Sequence, residues 1–378
     1  MFTKPVSKNI FSEIGFAKNK KNEAMAPKKP ITITDLSLQL GLAKSTVSKA
    51  LRDNPEISKR TIARVKEYAE RVGYQPSSLA RAIRTGRAHS VGLVLRTKGS
   101  NSHKPFLSTF VDGISSRLSE NHYTLTIATA DTEEGVVERH AELIARKAVD
   151  GFVIPRTRPQ DRRIALLLDA EVPFTLFGRT GEDAYYSWYD IDQKLCYREA
   201  VRHLHTLGHR SIAYLGGDPE YYYETLRSSG FNEAARELAD LKTHVVDGCI
   251  EPEDGEKQVR ALLALDCPPT AFVCALDRVG LGCIRQTRLY GLCPGRDISV
   301  VGYEMTPEGQ YAEPPLSSFF VDTYAAGYRI ADFLMQQFNG IPAKDLQQLV
   351  KAVPTWRGTD GPPTYSPAEL ADHLKNNM

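Results

Sequence analysis

Four polar residues crowd into six positions, Lys44, Ser45, Ser48 and Lys49, and they bring two ammonium groups and two hydroxyls with no carboxylate between them. On a helix these positions fall together, while Val47 and Leu51, four apart, turn toward a neighbouring element. Such a face donates hydrogen bonds and positive charge, the chemistry that phosphate oxygens and base edges accept. Covalent chemistry finds no comparable grouping. The chain has no G-x-G-x-x-G opening a helix, no P-loop, no G-x-S-x-G and no H-E-x-x-H, and Gly216-Gly217-Asp218 is only superficially a phosphate loop. The six cysteines, Cys196, Cys249, Cys267, Cys274, Cys283 and Cys293, include no C-x-x-C pair and no histidine at zinc-finger spacing. They read as buried reduced thiols, so the sequence argues against an enzyme and calls for no metal and no cofactor.

The elements that must hold the polar face are short helices. Thr32 with Asp35 three residues on forms a capping-box pattern, Gly41 permits a tight turn after Leu40, and a second helix fits Lys44 to Arg52. Ser58 can cap a third, whose stripe Ile62, Val65, Ala69, Val72 keeps three-four spacing up to Gly73. Charge is concentrated here. Residues 26–90 hold 13 basic and 5 acidic residues, net +8, whereas residues 91–378 hold 30 and 39, net −9, inside a whole-chain +2. A compact basic head on an acidic body is what a polyphosphate partner favours, because neutralised phosphates release counterions. Residues 1–30 lack periodicity and read as a disordered arm, with Met25 as a second candidate start. No apolar run reaches the ~20 residues of a membrane span, and the first 20 residues have no secretory core, which points to the cytoplasm and away from a transport receptor.

From residue 91 the pattern changes to short β-type runs: VGLVL, YTLTIAT, GFVIP, PFTLFG, SIAYLGG, THVVDG, TAFVCA and ISVVGY. Amphipathic stretches at 134–147, 194–207, 232–239, 256–265 and 325–338 separate them. Strand and helix alternating this often predict parallel sheets covered on both faces. The strands are too many for one typical sheet, so two lobes are expected, with the first crossover near residues 181–192 and a return by the last stretch.

The stretch ITITDLSLQLGLAKSTVSKAL followed by GYQPSSLARAIRTGRAHSVGLVL resembles the headpiece and hinge of the LacI/GalR family of bacterial transcriptional regulators, and the likeness continues, more diffusely, to about residue 358. It implies a helix-turn-helix headpiece at 31–76, a hinge helix at 77–88, a two-lobed periplasmic-binding-protein-like α/β body at 89–360 and a tail at 361–378. By position, Lys44, Ser45 and Lys49 would meet bases, with Thr46 and Ser48 on phosphates or in support; the alternative for each lysine is a phosphate contact. In the hinge, Ile83 would take the place of the family's minor-groove leucine, beside Ala80 and Arg84. Isoleucine there is a departure, as is Ala43, where many relatives carry a capping serine. In the body, the likeness of HLHTLGHRSIAYLGG, LRSSGF, ALDRVGLGCI and DISVVGYE implies Arg227 in the cleft as a donor to vicinal hydroxyls or a carboxylate, and Asp277 as an acceptor from ligand hydroxyls or amines. Arg156 and Arg179, at strand carboxyl ends, are further candidates, and Tyr221–Tyr223 with Trp188 could floor a sugar ring. An aromatic common in the family near 249–250 is replaced by Cys249 and Ile250. The resemblance implies double-stranded operator DNA of pseudo-palindromic sequence, a homodimer rather than a tetramer, and release by a small-molecule effector, a sugar before a purine-like corepressor.

Overall fold

The computed structural model describes residues 31–74, 82, 85–97, 105–181 and 185–377. The chain divides into two compact units between Arg84 and Thr85. Over residues 31–74 the first unit forms α1 (Ile33–Leu40), α2 (Lys44–Ala50) and α3 (Lys59–Arg71). Both halves of the expected capping box form, with Thr32 N donating to Asp35 Oδ2 at 2.7 Å and Asp35 N donating to Thr32 Oγ1 at 3.4 Å. Gly41 closes α1 in the left-handed region, φ 62°. Leu36, Val47, Ala50 and Val65 are fully buried where the helices meet, and each larger aliphatic contributes about 1.5–3 kcal/mol. Arg64 of α3 donates to the Leu40 carbonyl at 3.1 Å, satisfying an acceptor that the end of α1 leaves open.

In the second unit, one lobe is a six-stranded parallel sheet in the order β11-β5-β4-β3-β1-β2, from β1 (Ser90–Arg96), β2 (Thr124–Ala130), β3 (Gly151–Pro155), β4 (Phe174–Phe177), β5 (Ser187–Ile191) and β11 (Gln347–Val350). The other is a four-stranded parallel sheet, β7-β6-β8-β9, from β6 (Ser211–Leu215), β7 (Lys242–Val246), β8 (Ala271–Cys274) and β9 (Ser299–Val301). β10 (Ser318–Phe320) and β12 (Val353–Thr355) pair antiparallel. All eight β-type runs of the sequence form strands; β5, β10, β11 and β12 are additional. The chain leaves the first lobe after β5, returns through the helix Thr323–Phe338 and β11, and leaves again through β12, so the tail helix Pro367–Asn377 buries Leu370 and Leu374 in the second lobe. Helices Pro105–Glu120 and Thr323–Phe338 touch backbone to backbone: a Cβ on Gly327 would collide with the Phe110 carbonyl, and one on Gly113 with that of Tyr324. No helix among the described residues is long and apolar enough to cross a membrane.

Candidate functional site

Helix α2 presents the polar face that its spacing requires. Lys44 and Ser45 are exposed and Thr46, Ser48 and Lys49 half-buried, while Val47 and Ala50 lie in the core. Its N-terminus, at Ala43, has no side-chain cap, leaving the first-turn N–H groups to solvent or to an anion. Two of the polar residues are engaged locally. Lys49 forms an ion pair with Glu56, whose carboxyl is held below its ordinary range by the hydrogen bond from that lysine, and Arg52 donates through Nε to the Ser48 carbonyl at 2.9 Å and through Nη2 to Ser48 Oγ at 3.3 Å. Glu56 and Arg52 belong to this surface although they stood outside the expected set; the i, i+4 spacing from Ser48 to Arg52 was the available signal. The hinge candidates Ala80, Ile83 and Arg84, like the arm at 1–30, lie outside the described residues.

Between the lobes of the second unit, a cavity of about 660 Å³ opens at the carboxyl ends of β3, β4 and β5, where doubly wound sheets bind ligands. Arg227 is its centre. The helix Tyr222–Glu237 starts ten residues before the expected 232, which places Arg227 inside it, 4% exposed. Its guanidinium packs 4.2 Å from the ring centre of Tyr303, 4.5 Å from Tyr223 and 5.7 Å from Tyr197. Nε donates to Gln193 Oε1 at 2.9 Å and Nη1 to the Ala275 carbonyl at 2.9 Å. Glu224 Oε2 lies 4.0 Å from Nη1, and burial lifts that carboxyl above its ordinary range despite the arginine.

Arg156 also borders the cavity, as do Asp190, Gln193, Phe177 and Glu304. Arg156 and Glu304 have left-handed backbones, φ 54° and 101°, a conformation that costs a non-glycine residue of order 1 kcal/mol or more and gathers at functional sites. Arg163 anchors the first of these by donating to the Arg156 carbonyl at 2.8 Å. Arg179 stands behind the wall: its Nε donates to Asp190 Oδ2 at 2.9 Å and its guanidinium lies over Trp188 at 5.5 Å, so it orients the acidic group that faces the cavity. The structure does not bring Asp277 there. Its carboxylate, 1% exposed, accepts Ser318 Oγ and Thr306 N at 2.6 Å each, tying the start of helix Asp277–Leu289 to the loop after β9; burial pushes it up to about 7. Of the expected aromatic floor, Tyr223 lines this cavity and Tyr221 an adjoining one of about 560 Å³. Glu304 could have been found from its place just beyond the strand ISVVGY. Asp190 lies near the end of β5 and Gln193 just beyond it, a strand that the sequence did not reveal.

Residues 201–359 match the family described as periplasmic binding protein-like domain. The HTH-type transcriptional regulator AglR of Rhizobium meliloti (strain 1021) is 30% identical over 351 residues, which cover 89% of this chain and 97% of the relative. Among solved structures, the lac repressor dimer bound to operator and the anti-inducer ONPF superposes with a TM-score of 0.76 at 24% identity, covering 88% of this chain and all of that one. The transcriptional regulator CelR in complex with cellobiose gives 0.66 at 25% identity, with 87% and 99% covered. With a basic three-helix unit, a two-lobed α/β body and a relative matched along nearly its whole length, the chain belongs to the LacI/GalR family of HTH-type transcriptional regulators and is not an enzyme.

Proposed function

We propose that the protein is a cytoplasmic repressor that binds a pseudo-palindromic operator as a homodimer and is released from it by a carbohydrate. In this reading Lys44, Ser45 and Lys49 meet base edges, Thr46 and Ser48 position the helix on phosphates, and the segment 77–88, with Ala80, Ile83 and Arg84, enters the minor groove. Arg227 and Arg156 contact the effector, while Arg179 and Asp277 position the groups around it.

One observation carries the effector class: a buried arginine flanked by tyrosine rings shares a cavity with Asp190, Gln193 and Glu304. Aromatic faces cover the C–H faces of a sugar ring, while forked donors and carboxylate acceptors match its hydroxyls. The CelR structure, described as a cellobiose complex, and the lac repressor structure, described as a dimer on operator, support the same assignment. The test is an unbiased duplex selection with the full-length protein, followed by operator titrations at fixed salt against mono- and disaccharides and against purines. A selected palindrome from which one of the sugars displaces the protein at least tenfold is expected. A purine that tightens operator binding, with every sugar inert, would refute the carbohydrate assignment, and failure to select any duplex would refute the operator.

A further inference from the structure

The adjoining cavity of about 560 Å³ has a different character from the one around Arg227. Leu95, Val136 and Pro155 form an apolar side, and the guanidinium groups of Arg96, Arg156 and Arg158 border the other. Arg163 also reaches it but is consumed by Asp161 and by the Pro155 and Arg156 carbonyls. Arg158, 14% exposed, pairs through Nη1 with Glu133 at 2.6 Å and through Nη2 with Glu220 Oε2 at 3.3 Å. The same Glu220 oxygen lies 3.9 Å from Arg96 Nη1. Arg96 Nε is buried without a hydrogen-bond partner among the described residues. Two arginines of the first lobe therefore share one oxygen of a carboxylate that reaches over from the second, and that carboxylate is 59% exposed.

A guanidinium fork is best met by a group offering two oxygens in a plane or three around a phosphorus. One shared Oε2 falls short of that, and an exposed ion pair is weak enough to be exchanged. We propose that this cavity is an anion subsite: a carboxylate or phosphate on the effector takes Arg96 and Arg158 over from Glu220, while the neutral part of the ligand fills the cavity around Arg227. Arg156, which borders both cavities, sits where the two parts join. The proposal rests on the carbohydrate reading of the cleft and narrows it to acidic or phosphorylated sugars. Glu220 is then an internal stand-in for the ligand's anion, and its displacement removes one contact between the lobes while leaving the hydrogen bond from Tyr222 N to the Thr157 carbonyl, 3.0 Å, in place.

Calorimetry on the full-length protein with cellobiose, cellobiouronic acid and cellobiose 6′-phosphate tests this. At least one anion is expected to bind tenfold or more tightly than cellobiose, and which of them does so distinguishes carboxylate from phosphate. Arg158→Gln should erase that preference. Glu220→Gln, checked for folding by its melting temperature against wild type, should strengthen the favoured anion about threefold or more relative to cellobiose. Neither anion surpassing cellobiose, including no binding by any of the three, overturns the subsite, as does an unchanged anion affinity in Glu220→Gln. The carbohydrate reading itself falls only if the wider sugar panel is also inert.

Discussion

Arg227 holds together a buried polar network besides its proposed contact with the effector, and replacing it with methionine measures what that network contributes. The substitution preserves most of the side-chain volume between the tyrosine rings but removes the donors to Gln193 Oε1 and the Ala275 carbonyl. A buried acceptor left unpaired costs about 1–3 kcal/mol. It also deprives Glu224 of the cation 4.0 Å away; Glu224 Oε1 still accepts the Tyr214 hydroxyl, but Oε2 is buried without a partner. Breaking a buried charge pair from one side costs about 3–5 kcal/mol, so Arg227→Met is expected to lose about that much and to lower the melting temperature by roughly 6–15 °C. Glu224→Gln in the same chain removes the stranded carboxyl and keeps an acceptor for Tyr214. The double variant should recover about 1–2 kcal/mol, a coupling of the size expected for residues in contact. Urea titrations of wild type and the three variants close the cycle, and effector titrations should show the ligand response lost in both variants lacking Arg227. A double variant no more stable than Arg227→Met would refute the reasoning, because Glu224 would then not depend on the arginine.

Lys49→Ala should lose about 1–3 kcal/mol of operator binding and relax preference at one base position, whereas Glu56→Gln, which frees that lysine, should tighten binding; competition titrations on a set of singly mutated operators check both. Ala43→Ser supplies the cap that α2 lacks and should slow amide exchange in its first turn by about 1 kcal/mol without DNA. Asp277 is pushed up to about 7 in the folded chain from 3.8, so the fold holds a proton across that range that the unfolded chain has released. Its contribution is greatest below pH 3.8 and is lost as pH rises through 7, by about 4 kcal/mol at most. Burial lowers His140 and His209 to about 4, so their contributions are intact above pH 6.5 and lost as pH falls toward 4. Asp277→Asn should therefore be more stable than wild type at pH 8 and lose stability more steeply between pH 6.5 and 4, where the histidine slope is no longer opposed. Equal slopes in denaturant titrations of the two proteins would contradict the assignment.

The first unit was legible because its signals are local. A reciprocal cap at Thr32 and Asp35, a left-handed Gly41 and a four-residue spacing of Val47 and Leu51 lie within one window, and each forms as read. The body's strands were legible for the related reason that strands buried on both faces become continuous apolar runs, as in the fully buried β3. Its helices were less so. Helix Asp277–Leu289 contains Gly280 and Gly282, each of which costs about 1 kcal/mol against alanine in a helix. Yet a Cβ on Gly282 would strike the Pro252 carbonyl, so close approach of the next helix overrides propensity. Helix Tyr222–Glu237 begins in three tyrosines that hide the polar-apolar period, and there the first expected boundary missed by ten residues.

The cleft was legible at Arg227, Arg156 and Tyr223 but not at its acidic and amide groups, and the reason is topological. Its acidic and amide groups come from two strand ends, Asp190 and Gln193 from that of β5 and Glu304 from that of β9, so no spacing in the sequence relates them to Arg227 or to Arg156. What does relate them is the rule that residues just past the carboxyl ends of parallel strands face the crevice, and that rule needs the strands first. Asp277 shows the converse hazard. A motif position that implies a ligand acceptor is occupied by a carboxylate whose oxygens are already taken by Ser318 and Thr306. A carboxylate with buried donors on both oxygens has little capacity left for a sugar hydroxyl, and Asp190 at the cavity wall is engaged the same way, Oδ1 by Ile191 N at 2.8 Å and Oδ2 by Arg179 Nε at 2.9 Å. In the proposed reading, a ligand held between Arg227 on one lobe and Arg156 on the other favours the closed cleft by its differential contacts, which is the only way a ligand can shift such an equilibrium.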